Sequence, residues 1–237
     1  MESSGGNIYM LLPGENNLIH LVLISSAASN KDSIIEYLCQ REVPVNAKNS
    51  EGNTPLHIAA IRDDLTSIKT LLKYKANANV QNNLQNSPLL EAASFASLDC
   101  VRTLFRATTN SKLRQGLLHM AVTNPSLEVF DFAKKEAGES AFTEPYPRDP
   151  YWLPLTIALI NKANPLIVDE LARKGPIDME TKEGDTPLSI GIKNGDIANI
   201  RILLKAGADK NKKNKHGVTP RELADALADK SIAALLK

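Results

Sequence analysis

The sequence predicts an all-α fold, a solenoid of about seven helix-turn-helix repeats with short hairpin fingers. Three observations lead there. Five prolines, Pro55, Pro88, Pro154, Pro187 and Pro220, fall at intervals of 33, 66, 33 and 33 residues. Each opens a similar phrase, clearest in Thr54-Pro55-Leu56-His57-Ile58-Ala59-Ala60. That phrase is followed by a second apolar run at helical spacing, Leu65, Ile68, Leu71 and Leu72. A fixed period between about 20 and 50 residues marks a stacked repeat, in which each unit buries its apolar face against its neighbours.

Residues 1–14, with Gly5, Gly6, Pro13 and Gly14, read as a flexible N-terminal tail, and residues 15–237 as a single repeat domain. Asn17-Leu18-Ile19-His20-Leu21 is a degenerate first copy. The second unit shows the local logic in full. Asn49-Ser50-Glu51-Gly52 reads as a tight turn, with glycine supplying a positive φ. Thr54 caps a helix whose first turn holds Pro55, where the missing N–H costs nothing. Leu56, Ile58, Ala59 and Ala60 form the short first helix, and Lys75 to Asn79 returns the chain to the next turn. Ser87-Pro88-Leu89-Leu90-Glu91 opens the third unit. The missing beat is Gly116-Leu117-Leu118-His119-Met120-Ala121, with Leu117 in the proline slot. Its spacing is 29 residues from Pro88 and 37 to Pro154. Leu153-Pro154, Thr186-Pro187 and Thr219-Pro220 complete the set, so the phrases begin near residues 17, 54, 87, 116, 153, 186 and 219. The last one carries Arg221, Glu222, Asp225 and Asp229, the polar outer face that a terminal repeat needs.

Composition narrows the function classes. With 28 basic and 27 acidic side chains, no global field favours nucleic acid. No run of 18 apolar residues occurs, so no membrane insertion is expected. The apolar stretch Leu18 to Ala28 lacks the basic residues that precede a signal peptide's core. Cys39 and Cys100 stand where apolar helix residues belong and read as thiols in a reducing compartment. No zinc spacing, nucleophile elbow, P-loop or dinucleotide fingerprint is found, so no cofactor and no catalysis are expected.

The phrase Thr54-Pro55-Leu56-His57-Ile58-Ala59 resembles that of the ankyrin repeat. The stretch Gly184 to Leu188, Lys193 to Asp196 and Ile202 to Asn211 is similar to the same repeat from turn to closing loop. The resemblance implies that His20, His57 and His119 bridge backbone groups of neighbouring turns and bind no metal. It implies a partner face lined by hairpin tips and the ends of first helices. Residue by residue, that face includes Ile61, Arg62, Leu84, Phe95, Trp152, Ile160 and Lys193, with Tyr151 of the 137–152 loop as a further partner candidate. It also makes Asn79 and Asn211 the asparagines of a loop in which such repeats undergo β-hydroxylation, or simple loop caps.

Two stretches stand apart from the repeat. Phe142-Thr143-Glu144-Pro145-Tyr146-Pro147-Arg148-Asp149-Pro150-Tyr151-Trp152, within an irregular loop at 137–152, holds four of the eleven aromatics. Tyr, Trp and Arg dominate interface hot spots. The loop, Tyr146 included, either binds a partner or patches the stack where the third unit is short. Lys210, Lys212, Lys213 and Lys215, close after Lys205, form a basic finger, suited to an acidic surface or else a solvated loop. No aromatic interleaves these lysines, which argues against single-stranded nucleic acid.

The expected function is protein–protein recognition by a monomer, without catalysis, in the cytoplasm. The Asn-, Lys- and Ile-rich composition and divergent repeats resemble proteins that intracellular bacteria deliver into a host cytoplasm as effectors. An endogenous adaptor or assembly chaperone is the first alternative. An enzyme with a site in the repeat-four loop is the second.

Overall fold

The computed structural model describes residues 12–25, 30–147 and 149–237. Fourteen α-helices form among them, two for each phrase. The pairs are α1 (Leu18–Ile24) with α2 (Lys31–Gln40), α3 (Pro55–Ile61) with α4 (Leu65–Lys73), and α5 (Pro88–Phe95) with α6 (Leu98–Ala107). Then come α7 (Leu117–Ala121) with α8 (Leu127–Ala137), α9 (Pro154–Ile160) with α10 (Pro165–Lys174), α11 (Pro187–Lys193) with α12 (Ile197–Lys205), and α13 (Pro220–Ala226) with α14 (Lys230–Leu235).

Local chemistry sets where these helices start. Proline occupies the first turn of five of the seven first helices, its φ already helical. Asn17, Ser87, Thr186 and Thr219 accept backbone N–H groups that the helix leaves unpaired. Asp64, Asn164, Asp196 and Asp229 do the same for second helices.

The described residues fall into two compact units, one running to Leu117 and the other from Leu118 to Lys237. In the first, α1, α3 and α5 lie side by side, backed by a row of α2, α4 and α6. In the second, α9, α11 and α13 are backed by α10, α12 and α14. First helices are packed on more sides than second ones. Six of the seven residues of α3 are buried, against Ser67, Ile68 and Leu71 in α4. One slot carries much of this packing. Leu56, Leu89, Leu118, Leu155 and Leu188 are each no more than 1% exposed. Burying one such leucine contributes about 1.5–3 kcal/mol. Truncating Leu56 to alanine costs about 2–5 kcal/mol, because the cavity adds to the lost transfer energy.

Residues 1–11 of the expected tail lie outside the described residues. Residues 12–14 belong to the first hairpin: Leu12 N–H donates to the Asn16 carbonyl, and Ser50 N–H donates to that of Gly14.

Candidate functional site

The fingers are built from the turn residues upward. Each closes on one backbone bond, Asn49 to Asn53, Asn82 to Asn86, Thr181 to Asp185 and Asn214 to Val218, at 2.9–3.0 Å. Asn49, Asn82 and Asn214 point Oδ1 inward to accept backbone N–H groups of the same turn. Successive fingers then bond. Asn83 donates its N–H to the Glu51 carbonyl at 3.0 Å and its side-chain amide to that of Ser50 at 2.9 Å. Gly52 permits this approach. It sits at φ +75°, and a Cβ there would lie 2.4 Å from Asn83 Oδ1. Gly184 holds the same place beneath the stem of Lys215.

Imidazoles pin fingers to the preceding helix. His20 Nδ1 accepts the Asn17 N–H, so its proton sits on Nε2, which donates to the Asn53 carbonyl at 3.0 Å. His57 repeats the arrangement between Thr54 N–H and the Asn86 carbonyl. His119 Nε2 donates to the Glu144 carbonyl at 3.0 Å, while its Nδ1 has no partner. These are the backbone bridges that the ankyrin resemblance implies. Burial holds His57 and His119 neutral, with pKa values lowered to about 4.

The predicted partner residues are accessible within their own units. In the first, Ile61, Leu84 and Phe95 are 39%, 71% and 65% exposed, and Arg62 is exposed beside them. In the second, Tyr151, Trp152 and Ile160 are exposed. Lys193 is exposed as well, but its ammonium is engaged by Asp185 at 2.6 Å.

The aromatic loop divides its side chains. Phe142 is 1% exposed, with Lys174 Nζ 4.7 Å from its ring centre. Tyr146 is half-buried, its ring centre 5.5 Å from that of His119. Its N–H donates to the Trp152 carbonyl at 2.7 Å, which closes a finger two residues longer than the others. Phe142 and Tyr146 thus fill the stack, while Tyr151 and Trp152 stay outside. Arg148 lies outside the described residues.

Much of the basic finger is committed within the fold. Lys212 bonds the Asp178 carbonyl and pairs with Glu180 at 3.2 Å. Lys210 bonds the Lys237 carbonyl, and the Lys215 stem covers Gly184. Lys213 is exposed.

The two loop asparagines differ. Asn79 is clasped to the next repeat through Thr109, as Asn46 is to Asn77 and Asp178 to Asp209. Asn211 receives only a local bond, its N–H donating to Asp209 Oδ1. Both thiols are held in their protonated form. Burial and an Asp63 hydrogen bond push Cys100 up to about 12, and burial raises Cys39. No cluster of His, Cys, Asp and Glu suited to a metal occurs among the described residues.

Sequence reasoning missed the interlocking side chains between repeats. The signal was present, since Asn16, Asn49 and Asn82 recur at 33 residues and are joined in part by side-chain bonds such as Asn49 to Asn16 at 3.2 Å.

No helix among the described residues is long and apolar enough to cross a membrane. The search of curated proteins returns no match. Among solved structures, the human ASB11 ankyrin repeat domain is similar with a TM-score of 0.73 and 21% identity. The match covers 93% of this chain and 96% of that one. The ankyrin repeat domain of Bcl-3, a member of the IkappaB protein family, matches with a TM-score of 0.67 and 18% identity, over 93% of this chain and 98% of that one. The family model for ankyrin repeats, three copies in length, matches residues 22–116 and again 117–214. The paired helices, proline-started phrases and imidazole-pinned fingers therefore place this chain in the ankyrin-repeat family.

Proposed function

We propose that this chain is a non-catalytic recognition module that binds a protein partner through its fingers and the exposed ends of its first helices. One observation carries the reading. Large apolar side chains that could be buried elsewhere stand exposed at finger tips and first-helix ends: Ile61, Leu84 and Phe95 in one unit, Trp152 and Ile160 in the other. Large apolar groups left exposed at these places, in each unit separately, support an interaction site there. The elevated thiols favour no nucleophile, which supports binding over chemistry.

Phe95→Ala and Trp152→Ala test the surface. Each is expected to weaken partner binding at least about tenfold, or 1.4 kcal/mol, while changing folding stability by less than about 0.5 kcal/mol. Unchanged affinity in both variants overturns the assignment. The Asn- and Lys-rich composition supports the finer reading, an effector acting on host proteins. A translocation assay in infected cells distinguishes it from an endogenous cytoplasmic adaptor.

A further inference from the structure

Glu91 breaks the repeat. The corresponding position in the other copies holds Leu21, Ile58, Met120, Ile157, Ile190 and Leu223, apolar in every case. Glu91 lies in the middle of α5 and is 7% exposed. Its Oε1 accepts the side-chain amides of Asn82 and Asn86, at 2.9 and 3.0 Å, from the base of the 82–86 finger. Asn82 also donates to Asn53 Oδ1 at 2.9 Å, and Asn53 donates to Glu51 Oε2 at 2.9 Å. A chain of amides thus joins two carboxylates. Neither Glu91 nor Glu51 has a cation within salt-bridge distance among the described residues.

A desolvated carboxylate without a counter-ion is costly, and two neutral amides offset only part of that cost. An isoleucine, as at Ile58 or Ile157, would fill the slot without it. A second observation falls on the same face. Ser94 lies one turn further along α5, 2% exposed, and its hydroxyl has no partner. Phe95 stands exposed at the end of α5, next in sequence to Ser94, and Leu84 is exposed at the tip of the finger.

We propose that this part of the first unit, at the outer edge of Glu91, receives a lysine or arginine side chain of the protein partner. Glu91 and the carboxylate joined to it supply the counter-charge, and Ser94 Oγ, covered in the free chain, is the acceptor left for a further N–H once the incoming side chain displaces its cover. Phe95 and Leu84 cover the aliphatic stem, with the aromatic face of Phe95 available to the cation. The inference rests on the partner-binding reading above and adds the chemistry of its anchor.

The test is a displayed random-peptide library panned against the full chain, in wild type, Glu91→Gln and Glu91→Ile forms. Wild type is expected to select peptides with lysine or arginine at one fixed position. The best such peptide should bind Glu91→Gln at least tenfold more weakly, although glutamine keeps the carbonyl that accepts both amides. Replacing the basic residue of the peptide by norleucine should weaken binding to wild type but not to Glu91→Gln. Glu91→Ile should lose the same preference while unfolding at higher urea than wild type, which separates lost recognition from lost structure. Glu128→Gln, an exposed acid in the other unit, should match wild type. Peptides selected without a basic position, or equal affinity for Glu91→Gln, overturn this proposal and leave the binding reading standing. A wild-type chain that selects no peptide overturns both.

Discussion

Asn79 holds Thr109 by both ends of its amide. Nδ2 donates to Thr109 Oγ1 at 3.0 Å, and Oδ1 accepts the N–H of Thr109 and of Asn110, each at 3.0 Å. One side chain thereby ties two loops that are 30 residues apart. Asn79→Ala is expected to cost about 1–3 kcal/mol, because it removes three bonds together. Asn211→Ala, at the unclasped equivalent, should stay within about 0.5 kcal/mol. Urea unfolding of the two variants checks the difference, and equal losses would sink the clasp argument.

Two glycines should respond in opposite directions. Gly191 is buried in α11, where α3 and α9 carry Ala59 and Ala158. A Cβ there would meet Ile200 and Leu203 at 3.4 and 3.5 Å, near ordinary contact. Gly191→Ala should therefore stabilise the second unit by about 0.5–1 kcal/mol through helix propensity. Gly52→Ala should destabilise the first unit by about 1–3 kcal/mol, since both its φ and its neighbour Asn83 oppose a side chain. Denaturant midpoints of the single variants decide both signs.

Stability should fall as the solution turns mildly acidic. His57 and His119 titrate near 4 when folded, against about 6.5 when unfolded. Above about 6.5 both states are neutral and these groups contribute no slope. Between about 6.5 and 4 the unfolded chain binds protons that the folded chain refuses. Each imidazole then removes about 1.4 kcal/mol per pH unit. Below about 4 that loss levels off. Burial shifts His20 in the same direction. Urea midpoints measured from pH 7 to 5 should show this slope, reduced in His57→Gln and His119→Gln.

The aromatic loop should separate into structural and surface residues. Phe142→Ala is expected to cost about 3–5 kcal/mol, as for a fully buried ring. Trp152→Ala, half-exposed, should change thermal unfolding little. Replacing the whole 142–152 segment would confound the two effects, so a loop swap is informative only when confined to Tyr151 and Trp152.

Much of the fold was legible because its rules are local. Proline at the first turn with Ser or Thr before it marks the start of α3, α5, α11 and α13, and all seven first helices begin where the phrases do. Leu117, without the proline, still starts α7 because its phrase keeps the apolar spacing. The exposure of Phe95 and Ile160 was legible, but the pairing of charged side chains was not. The ammonium of Lys193 meets Asp185, eight residues back, and that of Lys134 meets Glu170 on α10 at 2.9 Å. The second pair depends on how helices stack, which no short phrase encodes. Tyr146 was ambiguous for the same reason, since its packing against His119 spans 27 residues.

Trp152 is the chain's only tryptophan, half-exposed on the lengthened finger of the second unit. The protein therefore carries a built-in optical probe. Indole emission reports that finger and that unit, while far-ultraviolet dichroism reports the helices of both. A ligand that covers the finger will shift the emission without any added label. One that docks at Phe95 can leave it untouched, so a single spectrum distinguishes the two landing places.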